Sequence, residues 1–417
     1  MRAGSDWRAL HLTRRRFGLL AAGGVAALAC ASGRPARAAG STDAAGPPLQ
    51  HASGDGSTPA VLVGVPRGSG DEAVERAVRQ AALAATDFAW LSRGDTVLIK
   101  PVCNSGNDYP ATTDPAALRA MIGLLAERGA GRVIVADMSG VQFVRFSPDH
   151  LSGSTRELMR SNGMLGSIEA AGGELIAFEE AGWDGFFEER PRVAASWKQP
   201  IQLPKILAEV DHVVLMPRCA RHMLAGSTLG LKAAVGWWRH DSRLEYHHDA
   251  ATFSQKTAES NTLPSLLEKQ RLVLTSATKV LATFGPDDGH MVEPETGLVI
   301  ASPSILAHDM VSLAFLLETR VGVPGDLKDG VMDDPNQSQT FVDFSNRVVT
   351  HWLGGLRAAW TAESLPRYDL ARVWDDRVLR HAALAFGGVP RVELVDAERS
   401  VPRAIREGLA AQLVLPA

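Results

Sequence analysis

Three side chains able to carry a proton, hold a metal or form a covalent bond lie in one segment of this chain: His222, Lys232 and His248. Nine residues separate the first two and fifteen the last two, and the stretch from His222 to His248 contains four of the chain's 12 histidines. Imidazole titrates near neutrality and binds borderline metals, and a partly desolvated lysine amine is a nucleophile. Residues of these types suit acid–base chemistry, covalent or electrostatic anchoring, and metal ligation. The competing reading is a polar surface rich in histidine, and on the intervals His240 and His247 read as bystanders.

Other chemistry-bearing residues also follow apolar runs. Val97-Leu98-Ile99 leads into Lys100-Pro101-Val102-Cys103-Asn104, with Thr112-Thr113-Asp114-Pro115 beyond. Val133-Ile134-Val135-Ala136 leads into Asp137-Met138-Ser139-Gly140, and His212-Val-Val-Leu-Met leads into Pro217-Arg218-Cys219. Lys100 at such a position suits a phosphate, a carboxylate or a cofactor, against the alternative of a solvated lysine. Asp137 suits a ribose, a metal or a general base, against a helix cap. Arg243 suits a substrate carboxylate, or a pairing with Glu245 or Asp249. Cys103 and Cys219 are open to three readings: a disulfide, a place beside a metal, or small buried residues. The loop Phe284-Gly-Pro-Asp287-Asp288-Gly-His290 could bring acids to the site or be an ordinary turn; Asp309 reads as a structural acid. The candidate set is thus His222, Lys232 and Asp137 for catalysis; Lys100, Asn104, Thr113, Lys232 and Arg243 for cofactor binding; and His248, His222 and Cys219 for a metal.

The elements that must position these groups are read from periodicity. Val61–Val65, Thr96–Ile99, Arg132–Ala136, Glu174–Phe178, His212–Met216, Leu272–Thr275 and Leu298–Ala301 are strand candidates. Asp114–Arg128, with Leu118, Ile122, Leu125 and Ala126 on one face, and Ser154–Ala171 read as helices between them. Alternating strands and helices with nearly all-apolar strands predict an α/β fold, a mostly parallel Rossmann-like sheet flanked by helices, with ligands beyond the carboxyl ends of the strands. Residues 59–325 form the expected core and 326–417 a C-terminal extension packed on it.

With 417 residues and 45% hydrophobic content, disordered and fibrous classes are excluded. Leu12-Thr-Arg-Arg-Arg-Phe17, an Ala/Gly/Leu run and a small-residue site near Ala38 read as a twin-arginine signal peptide over 1–38, followed by a flexible linker over 39–58. Leu28-Ala29-Cys30 offers a lipoprotein anchor as the alternative. The glycine-interrupted run is too short for a stable membrane span. The expectation is an exported, periplasmic or extracytoplasmic protein that meets the twin-arginine machinery. Segment 1–38 holds seven arginines against one aspartate, so its removal takes the formal net charge from −4 to −10. So acidic a chain with no basic stripe is a poor nucleic-acid binder. Two remaining cysteines are too few for an iron–sulfur cluster.

Lys100-Pro101, Thr112-Thr-Asp-Pro115, Arg128-Gly-Ala130, Asp137-Met-Ser-Gly140, Pro217…His222…Thr228…Gly230-Leu-Lys232…Gly236 and Ala307-His-Asp309 together resemble the domain of unknown function 362 family, from about Thr96 to Met310. That resemblance implies an α/β protein without fixing a reaction. Val102, Ala233 and Ser276 depart from the family's usual asparagine, asparagine and aspartate. The order of His222, Lys232 and His248 is also similar to the nickel-pincer lactate racemases. This second resemblance implies His222 as acid/base, Lys232 as thioamide anchor of a metal-bearing cofactor and His248 as nickel ligand. The expected function is a metal- or cofactor-dependent enzyme performing proton or hydride transfer on a small, anionic hydroxy- or oxo-acid. The alternative is a non-catalytic extracytoplasmic binder of a metal or anion.

Overall fold

The computed structural model describes residues 49–53, 56–328, 338–367 and 369–416. The stretch read as a signal peptide, the alternative lipidation residue Cys30 and much of the expected linker lie outside the described residues. Among those described, no helix is long and apolar enough to cross a membrane.

Each strand candidate is a strand of one sheet: β1 (Ser57–Pro66), β2 (Thr96–Pro101), β3 (Arg132–Asp137), β4 (Glu174–Ala177), β5 (His212–Met216), β6 (Gln270–Ala277) and β7 (Thr296–Ser302). An eighth, β8 (Arg391–Asp396), comes from the C-terminal region and pairs in parallel with β1. The order is β8-β1-β7-β6-β5-β2-β3-β4. Only β7 runs antiparallel to its neighbours β1 and β6, so the sheet is mostly parallel and the fold is α/β. The region after residue 326 is thus part of the sheet as well as a layer packed on it. At the other end, Ala52 donates its N–H to Val389 O (2.9 Å), tying the close of the linker to this region.

Val, Ile and Leu fill the strands because both faces are covered. Val61, Val63 and Val65 of β1 enter one core, with helices α1 (Asp71–Ala85) and α2 (Pro115–Glu127), whereas Ala60 and Leu62 enter the other. Asp114 caps α2, its Oδ1 accepting Ala116 N–H at 3.0 Å, and Pro115 fills the first turn. Leu118, Ile122 and Leu125 are buried, but Ala126 is exposed, having rotated past the edge of the apolar face. The helix expected over 154–171 is two, α3 (Thr155–Ser161) and α4 (Met164–Ala170). Gly163 between them has φ 83°, a left-handed conformation through which an α-helix cannot run.

Candidate active site

From β2 the chain order runs outward in both directions, to β3 and β4 on one side and to β5 and β6 on the other. Such a reversal opens a crevice at the carboxyl ends of the two strands that flank it, the usual ligand site of doubly wound sheets. Register keeps those ends level: Pro101 lies opposite Met216, and Asp137 opposite Ala177. A cleft with a cavity volume of about 70 Å³, partly open to solvent, lies there. Lys100, Asn104 and Asp137 line it with Arg218, His222, Lys232, Gly236 and Arg243.

Its floor is an ion pair. Lys100 Nζ lies 2.7 Å from Asp137 Oδ1 and donates to Pro101 O at 2.8 Å, with both side chains almost wholly buried. Burial pulls the Lys100 amine below its ordinary value, against the opposing pull of Asp137. Asp137 also accepts the N–H groups of Cys103 and Met138, each at 2.8 Å. Its oxygens are therefore occupied by fixed donors, and the side chain ties β2 to β3 where the sequence suggested a catalytic acid. Gly236 lies over the pair, where a Cβ would overlap Asp137 Oδ1 and Lys100 Nζ. Gly236→Ala should accordingly cost about 1–3 kcal/mol in urea unfolding, as an overpacked core does.

Lys232 enters from the short helix α5 (Gly230–Ala233), whose first N–H groups, those of Gly230 and Leu231, donate to Asp309 Oδ1 and Oδ2 at 2.9 and 2.7 Å. Asp309 is thus a structural acid, and it fixes the backbone that carries the amine. Among the described residues no carboxylate pairs with Lys232 Nζ, which sits 5.6 Å from the ring centroid of Tyr246 and 5.7 Å from that of Phe253. Burial, reinforced by the charges of Arg218 and Arg243, lowers its pKa to about 7.

His222 is fixed in one tautomer. Its Nδ1 accepts the N–H groups of Leu224 (3.1 Å) and Ala225 (3.2 Å), so the ring proton resides on Nε2. Burial, with Lys232 and Arg218 nearby, holds the pKa well below the ordinary range. A ring of this kind is a neutral hydrogen-bond donor at Nε2. Acting there as a base or metal ligand would require a proton on Nδ1, facing two N–H groups.

The remaining metal candidates do not converge. His248 turns outward from α6 (His240–His248), with Nδ1 2.7 Å from Asp249 Oδ1 and Nε2 2.9 Å from Thr361 Oγ1. Helical geometry explains the miss: His240, Arg243 and His247 recur at three- and four-residue spacing on the buried face, and the adjacent His248 must point elsewhere. His247 packs inward against Phe253, donates Nδ1–H to Asn346 Oδ1 (2.8 Å) and is pushed to about 3, mainly by burial. Cys219 and Cys103 are free and belong to cores on opposite sides of the sheet, so they form no disulfide. Burial raises both thiols, Cys103 to about 12, so neither is a ready thiolate ligand. No group of three or more His, Cys, Asp or Glu suited to a metal occurs among the described residues.

Two cofactor candidates are likewise committed to the scaffold. Every nitrogen of Arg243 donates to a backbone carbonyl, of Trp238, Ser139, Met138 or Gly236, at 2.6–3.4 Å. Thr113 donates to Met216 O (2.6 Å) and accepts Val102 N–H (2.8 Å), clamping β2 to β5. Asn104 does reach the cleft, where its Nδ2 donates to Asp287 Oδ2 at 2.7 Å. Sequence reasoning offered Asp287 as one of the residues its loop could bring to the site, against an ordinary turn, and gave Arg218 no role. Phe284 and Gly285, with φ 44° and 45°, turn that loop so that Pro286 borders the cleft.

A doubly wound α/β protein with a cationic cleft at the switch point is the class that fold and site define. More particularly, the chain belongs to the domain of unknown function 362 family, whose model matches residues 97–314, just over half of it. No curated protein matches it. Among solved structures it is similar to a structural-genomics protein from Thermotoga maritima, at 10% identity and a TM-score of 0.36, over 56% of this chain and 55% of that one. It is also similar to a lactate racemase apoprotein from Thermoanaerobacterium thermosaccharolyticum, at 12% identity and a TM-score of 0.32, over 53% and 50%. The chain spans about half the length of each.

Proposed function

We propose that this protein is an exported enzyme acting on a small oxo-acid, with Lys232 as its covalent anchor. The observation that carries this reading is an amine lining the cleft, unpaired with any described carboxylate, and lowered to about pKa 7 by burial with the added charges of Arg218 and Arg243. At neutral pH much of it is unprotonated and nucleophilic. Condensation with a substrate ketone forms a C–N bond, and the two amine hydrogens leave with the carbonyl oxygen as water. Protonated at nitrogen, the resulting iminium acidifies the neighbouring C–H, whose proton passes to water in the cleft. His222 Nε2–H is suited to donate to the carbonyl oxygen during attack. Export rests on the twin-arginine pattern of residues 12–17.

A nickel-bearing cofactor fits only in part. Lys232 would serve as its anchor, but His248 is turned away and His222 presents a proton where a ligand needs a lone pair, so no step is assigned to such a group.

Borohydride reduction in the presence of pyruvate should add one substrate mass to Lys232, located by peptide mass spectrometry, with trapping rising through pH 7. An unmodified Lys232 under saturating pyruvate would move weight to the binding-protein alternative.

A further inference from the structure

We propose that Arg218 is the residue that recognises the substrate carboxylate, an inference that rests on the oxo-acid reading above and assigns its anion subsite. Arg218 is 2% exposed and stands directly after β5, at the switch point, on the lining of the cleft that also holds Lys232 and His222. Its Nε and Nη1 have no hydrogen-bond partner. The nearest carboxylate oxygen, Asp287 Oδ1, is 3.8 Å away, too far for a hydrogen bond, and is itself without a partner. Asp287 is held elsewhere: Oδ2 by Asn104 Nδ2 and its backbone oxygen by Asn107 Nδ2, both at 2.7 Å.

Apart from the Lys232 amine, the other basic residues of the cleft are spoken for. Lys100 is paired with Asp137, and Arg243 spends every nitrogen on carbonyls. A guanidinium kept from water with unmet N–H groups is costly unless something completes it. Nε and Nη1 lie on different edges of the planar guanidinium, so a carboxylate, with its two coplanar oxygens, would complete one of them by forking across it and Nη2. Placement next to Lys232 gives the subsite a second effect. Arg218 is among the charges that hold the lysine amine down, so an anion seated on Arg218 cancels that field and favours the cationic iminium over the free amine. The carboxylate then orients the substrate and stabilises the adduct through one residue.

The competing role for Arg218 is structural, tethering the Asp287 loop. Two probes separate the roles: pyruvate, and pyruvamide, which has the same ketone without the anionic charge. Reductive trapping on Lys232, run at alkaline pH where the amine is unprotonated with or without the Arg218 charge, should show Arg218→Met weakening the apparent affinity for pyruvate on the order of a hundredfold while leaving pyruvamide nearly unchanged. Arg218→Lys should recover only part, because the fork is lost. The melting temperature of Arg218→Met should hold or rise, since an unsatisfied buried charge has gone. Arg218→Met/Asp287→Asn serves should the single variant fold poorly. Equal losses for the two probes, or none for pyruvate, would overturn the assignment.

Calorimetry in a Lys232→Met background keeps this apart from the covalent reading. Pyruvate binding that disappears with Arg218→Met while the wild type traps nothing retains the subsite and removes the iminium. Trapping on Lys232 that is indifferent to Arg218 does the reverse. Inorganic phosphate displacing pyruvate at equal concentration would show a general anion site in place of a carboxylate-specific one, and would likewise overturn the assignment.

Discussion

Asp137→Asn should lower the free energy of unfolding by about 3–5 kcal/mol, the loss expected when one partner of a buried ion pair is removed and the other is left in the interior. Lys100 is 1% exposed and also donates to Pro101 O, and among the described residues no second carboxylate stands ready to replace Asp137. Asparagine can still accept one of the N–H groups of Cys103 and Met138, but not carry the charge. Lys100→Met/Asp137→Asn, which removes both charges, should recover much of the loss, because the desolvation of two ions disappears with their attraction. Urea denaturation of the three variants measures this directly. A purely catalytic Asp137 would leave stability intact and abolish turnover alone, which is the outcome that would refute the structural role.

Lys232→Met should have the second large effect, on pH dependence. With the folded amine near 7 against an ordinary 10.5, the unfolded chain holds a proton that the folded chain lacks throughout that interval. Wild-type stability must then rise as pH rises from about 7 towards 10.5, and below 7 it carries the full cost of a desolvated ammonium. Lys232→Met lacks this titrating group, so its curve should lose this part of the rise and keep only what Lys100 and the buried thiols contribute to both proteins. Because the side chain is only partly enclosed, the variant should exceed wild type by about 1–3 kcal/mol near pH 6 and approach or fall below it near pH 10. Parallel curves for the two proteins would mean that the amine titrates normally in the folded state. The same variant should lose all pyruvate trapping.

The strands were legible because burial on both faces leaves a contiguous apolar run, and the residues immediately after β2, β3 and β5 do meet at one cleft. Lys100, Asn104, Asp137, His222 and Lys232 were all placed there from sequence. Roles were harder to read than places. Arg243 and Thr113 have the chemistry of ligand-binding groups, but whether their donors meet a ligand or a carbonyl depends on backbone from other parts of the chain. His248 was chosen over His247 from a linear interval, whereas a helix sorts adjacent residues to different faces, and the spacing from Arg243 to His247 carried the better signal. Arg218 offered no signal, since a single arginine after a strand looks the same in sequence whether solvated or enclosed.

The partner of β1 on its outer side is β8, so Ser57 lies opposite Arg391. A ribosome therefore releases the first strand long before its neighbour exists, and until the last part of the chain emerges β1 presents unpaired amide and carbonyl groups to any passing strand. Loss of the final thirty or so residues would not trim an appendage; it would leave that edge permanently open, a template for aggregation.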